Sequence, residues 1–168
     1  MTLTITRLND MAANYPEGMA FPEQGRPLTF AQLKDLVDQH SRHLFDGGAG
    51  IYGKYIRHET TRRIVKLCAD RIGISKLENI PISIPKEELS ATLKTEHIQV
   101  LYTDLMDKLL EIVNVSGPFI GIVTPIELYH HKIWRVRFRS DRGRVQIDLD
   151  EVNSRHRKWQ SSQPHSNR

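Results

Sequence analysis

A single cysteine among 168 residues leaves Cys68 without a partner in the chain, so no internal disulfide holds the fold and a reducing compartment suits it. No apolar run reaches eighteen residues, which excludes a membrane-spanning helix. The opening stretch MTLTITRLNDMAANYPEG lacks a basic region followed by an apolar one, so a secretory signal is not expected and the cytoplasm is the expected location. HExxH is missing, as is any CxxC pair. His40 and His43 lie three apart, and His130 and His131 are adjacent near Glu127. Adjacent strand residues point to opposite faces, and a third or fourth ligand is wanting, so neither a metal nor a cofactor is expected.

What is present is a periodic, moderately polar chain, 39% hydrophobic and 26% charged, long enough for one domain. The net charge of +4 hides an asymmetry. From Lys132 onward ten Lys and Arg face four Asp and Glu, a balance of +6, while the rest has fourteen against sixteen, or −2.

Residues 2–8, TLTITRL, alternate and suggest a short edge strand. A helix is expected from Phe30, because Thr29 and Gln32 make a capping box and Leu28 with Leu33 a hydrophobic staple. Gly47 and Gly48 should end it. A second helix is expected over about 59–72, stopped by Gly73, then an extended IPISIP and a short helix from about Pro85. One long helix is expected over roughly 96–114, with Ile98, Leu101, Leu105, Leu109 and Ile112 as its stripe. FIGIVTPIELYHH reads as strand, with Pro125 requiring an edge, a bulge or a break.

KIWRVRFRSDRGRVQIDLD reads as a hairpin in which Arg139 pairs with Arg144. That register opposes Phe138 to Val145, Val136 to Ile147 and Trp134 to Leu149, and turns the Trp134–Val136–Phe138 face inward. The fold class expected is α+β: N-terminal helices packed on a C-terminal antiparallel sheet. One domain spans 1–152, its helical part about 28–114 and its sheet about 118–150, followed by a flexible basic tail over 153–168.

Two motifs are incomplete. Gly48, Gly50 and Gly53 have a GxGxxG spacing before Lys54, yet the strand and helix order of a dinucleotide site is not expected around them. Ala69, Gly73, Ile74 and Ser75 match a helix-turn-helix turn, but Pro81 and Pro85 shorten any recognition helix.

The remaining signal is cationic. Arg135, Arg137, Arg139, Arg142 and Arg144 line the hairpin; Arg62, Arg63 and Lys66 share the outer side of the second helix; Arg155, Arg157, Lys158 and Trp159 mark the tail. Arginine presents two donors to two phosphate oxygens, and a tryptophan can stack on a base. The expectation is a non-catalytic binding protein that meets an anionic partner, first of all a nucleic-acid backbone. A module docking on an acidic protein surface is the alternative. A small metal-independent ribonuclease, needing only a histidine, an arginine and a glutamate or tyrosine in a cleft, comes third. The plainer reading of each charge run is a solvated face or an edge strand protected from aggregation.

Overall fold

The computed structural model describes residues 3–21, 27–45, 50–116 and 118–139. Their elements are α1 (Ile5–Asn14), α2 (Phe30–Leu44), β1 (Tyr52–Tyr55), α3 (Glu59–Ile72), β2 (Leu77–Asn79), α4 (Lys86–Thr95), β3 (Val100–Thr103), α5 (Met106–Ser116), β4 (Ile120–Leu128) and β5 (His131–Phe138). The class is α+β, and the helices are mostly N-terminal. The sheet, however, is mixed rather than antiparallel. Its order is β2-β1-β3-β5-β4, with β1 parallel to β2 and β3, and β5 antiparallel to β3 and β4.

Strand alternation divides the apolar side chains into two cores. Tyr52, Val100, Tyr102 and Ile133 turn to one face and pack with α1, α2 and α3. Tyr55, Leu101 and Val136 turn to the other, where Trp134 and Phe138 join α4 and α5 as the inward face expected of them.

The caps of α2 and α3 follow the local sequence. Thr29 accepts from the Gln32 N–H while Gln32 bonds back to the Thr29 N–H, and Leu28 and Leu33 are fully buried beside them. Gly73, at φ 91°, closes α3 in the left-handed conformation that glycine adopts freely.

Three further expectations are corrected. Residues 5–14 form α1 instead of an edge strand: the Thr4 hydroxyl caps the helix from Arg7 N–H, and Leu8 is buried on its inner side. The long helix over 96–114 is two elements. Val100–Thr103 is a strand buried on both faces, whose continuous apolar run is indistinguishable by period from a buried helix. After it the Thr103 hydroxyl accepts from Leu105 N–H and α5 begins at Met106. Beyond Gly73 comes strand β2 and no recognition helix, in keeping with Gly73 as an ordinary glycine-capped helix end. Finally, β5 lies between β3 and β4 along 134–138, so neither edge is free for pairing with residues 144–150, which lie outside the described residues. β5 pairs back instead through Tyr129 and His130, both at positive φ, as a two-residue hairpin turn requires. Pro125 is tolerated because β4 is an edge strand.

Candidate anion-binding pocket

β1 carries Lys54 near its carboxyl end, on the face covered by α1, α2 and α3. Its register partner on β2 is Asn79, and parallel partners project side by side from one face. Together they floor a cavity of about 560 Å³. The first two turns of α3 supply one wall, Glu59, Arg62, Arg63 and Lys66; Leu3, Arg7 and Met11 at α1 supply another, with Ala20, Phe21 and Phe30 closing the apolar end.

The cations of this wall differ in how well they are satisfied. Glu59 pairs with both Arg62 and Arg63, the latter at 3.0 Å. Arg62 also donates to the Ile56 carbonyl, and the Arg63 guanidinium lies 5.0 Å from the centre of the Phe21 ring. Lys66 bonds Asp70 at 2.8 Å. Lys54 is only 8% exposed, and among the described residues its ammonium has no hydrogen-bond or ion-pair partner. Burial first, then the neighbouring Lys66 and Arg62, push its pKa down to about 8, with Asp70 opposing weakly.

A second cluster occupies the sheet's topological switch point. The chain leaves β1 through α3 on one face to reach β2, then returns through α4 on the other to reach β3. The chain leaving β3 enters α5 on that second face, so the carboxyl ends of β1 and β3 diverge, as they do where ligands enter open α/β sheets. Asp104, just after β3, accepts from the Arg57 and His58 N–H groups at 2.8 and 3.0 Å, and its Oδ2 lies 2.8 Å from His131 Nε2. Burial raises the Asp104 pKa, but the His131 bond and the two backbone donors outweigh it and hold the carboxyl below its ordinary value. The rings of His58 and His131 stack at 4.2 Å. His58 is also the N-cap of α3: its Nδ1 accepts from Thr61 N–H, so the neutral ring carries its proton on Nε2. Burial and the adjacent His131 lower its pKa. This cluster fastens the β1–α3 loop to β3 and β5.

The residues nominated from sequence separate into three groups. Arg62, Arg63 and Lys66 come together in the cavity wall. Arg135 is 8% exposed and points under α2, where its Nη1 donates to the His43 carbonyl at 2.6 Å and reaches the Leu44 carbonyl at 3.4 Å. Arg137, farther along β5, and Arg139, just past its end, are half-buried. Tyr102 stands between Lys54 and Arg135 across the sheet, so these two cations are not neighbours in this row. Arg142, Arg144, Arg155, Arg157, Lys158 and Trp159 lie outside the described residues.

Sequence reasoning missed Lys54 because no strand was expected at residues 52–55, where β1 stands. Gly53 is part of that strand; a Cβ there would stand 3.0 Å from Leu101 Cδ1, so this glycine serves packing. Gly50 has φ 136°, and Gly48 lies outside the described residues. The signal was available in YGKY: a charge between two tyrosines, followed three residues later by a helix start. Among the described residues no group of three or more His, Cys, Asp or Glu is placed to hold a metal, and no helix is long and apolar enough to cross a membrane. No family model and no curated protein matches the chain, so the reading of this pocket rests on its own chemistry.

Proposed function

We propose that this chain binds a small, multiply charged anion, a phosphate or diphosphate on a partly apolar body, in the cavity above Lys54. The Lys54 side chain carries the reading: the residue is 8% exposed, lines the cavity and has no counter-ion among the described residues. Desolvating an unpaired ammonium is unfavourable, and a bound anion offsets it. The charge count favours phosphate over a lone carboxylate, because five cations and one carboxylate line the cavity. Arg62 and Arg63 supply planar donors, Lys54 and Lys66 point charges, and Phe30 with Met11 an apolar seat for the ligand's body. The volume falls in the range of small-molecule sites.

Binding of a polynucleotide backbone is the other reading of the same cations. It draws on Arg142, Arg144 and the tail, and Arg135 does not contribute an exposed contact to it. Calorimetric titration separates the two. Inorganic pyrophosphate should bind at physiological salt, with Lys54→Gln weakening the affinity about tenfold or more, equivalent to about 1.4 kcal/mol. Failure of pyrophosphate and of nucleoside diphosphates to bind, with tight single-stranded RNA binding that Lys54→Gln leaves unchanged, would overturn the pocket reading.

A further inference from the structure

We infer that Lys54 is a nucleophile as well as an anion ligand, condensing reversibly with the aldehyde or ketone of a phosphorylated compound to form an imine. This rests on the pocket reading and adds a reaction to it. An amine attacks a carbonyl only when its nitrogen lone pair is free of a proton. Three features of the site favour that form. Lys54 is buried, Lys66 and Arg62 place like charge beside it, and no carboxylate among the described residues bonds it to hold it as ammonium. With its pKa at about 8, roughly a quarter of the side chain is neutral at pH 7.5, against about one part in a thousand for an ordinary lysine.

The cavity supplies the other requirements. Arg62 and Lys66 can hold the phosphate while the carbonyl carbon reaches the amine. The Lys54 nitrogen forms the C–N bond and the carbonyl π electrons move to oxygen. A proton passes from nitrogen to that oxygen, giving a carbinolamine. The C–O bond then breaks as the oxygen takes a second proton from the surrounding water and leaves as water, the nitrogen lone pair completes the C=N bond, and the resulting iminium gives its N–H proton back to the solvent. Amine and carbonyl become imine and water, with no change of oxidation state.

Pyridoxal 5′-phosphate is the probe. The intact protein is incubated with it at pH 7.5, reduced with borohydride, and the modified residues are mapped by peptide mass spectrometry, with pyrophosphate binding measured in parallel. The expected result is one adduct per chain, on Lys54, suppressed by excess pyrophosphate. Lys54→Arg should lose the adduct yet keep pyrophosphate affinity within a few-fold; Lys54→Met should lose both. Pyrophosphate binding accompanied by label scattered over exposed lysines, insensitive to pyrophosphate, would defeat the imine and leave the pocket reading standing. Absence of both pyrophosphate binding and a protected adduct would remove the two together.

Discussion

Lys54 and Arg135 are both 8% exposed, lie on the same face of the sheet, and share one lateral row with Tyr102 between them. Their surroundings differ in kind. Arg135 ends at the C-terminus of α2, where the last turn leaves carbonyls without intrahelical partners and the helix dipole places negative charge. It donates there to His43 and Leu44, and the Tyr102 hydroxyl donates to the same Leu44 carbonyl. Lys54 ends in a cavity among other cations. Burial alone therefore does not distinguish a structural charge from a binding one; the presence or absence of a partner does.

The contrast is tested most severely by removing each charge. Arg135→Met keeps an apolar stem but leaves the α2 carbonyls short of donors, and it should destabilise the protein by about 3 kcal/mol in urea unfolding. Lys54→Met should act in the opposite direction, stabilising the ligand-free protein near neutral pH while abolishing pyrophosphate binding. Because the folded-state pKa of Lys54 lies near 8 and its unfolded value near 10.5, the destabilisation is complete below pH 8 and fades as pH rises to 10.5. The stability gap between Lys54→Met and wild type should close over that interval. Two variants destabilised alike would show that Lys54 has a structural partner.

A smaller effect comes from the switch-point cluster. His58 has a lowered folded pKa, so the unfolded chain takes up its proton first and stability declines as pH falls through about 6.5. Asp104 also has a lowered folded pKa, so its contribution, present above the unfolded value near 4, is lost as pH falls further through the folded one. His58→Asn keeps an N-cap acceptor and should remove the first decline only. His58→Ala should lower stability by about 1 kcal/mol at pH 8 as well, through loss of the cap. The smallest effect belongs to the hairpin turn, where His130→Gly at φ 66° should add roughly 1 kcal/mol to thermal stability and leave pyrophosphate affinity untouched.

Elements with local punctuation were legible in the sequence. Thr29 with Gln32 announced α2, Gly73 ended α3, and alternation fixed the inward face of β5. β3 was hidden because all four residues of VLYT are buried, giving a run without the period that marks a strand. The sheet order was hidden for a different reason: β5 joins β3 across some thirty residues of sequence, and no local pattern carries that pairing. Of the site, the α3 cations were visible as a cluster, because one helix face is a local property. What made them a pocket, the floor at Lys54 and Asn79 and the α1 wall, depends on strands and a helix that were read otherwise.

The insertion of β5 between β3 and β4 also bears on how the molecule assembles. Until the β4–β5 hairpin arrives, β3 has one edge with open backbone donors and acceptors, and the His43 carbonyl near the end of α2 lacks its Arg135 donor. The same hairpin brings Arg135, so sheet completion and closure of α2 are a single event. A nascent chain ending before residue 131 would thus have every wall of the cavity in hand but an unsealed flank, a state in which a chaperone or an intruding strand would find purchase.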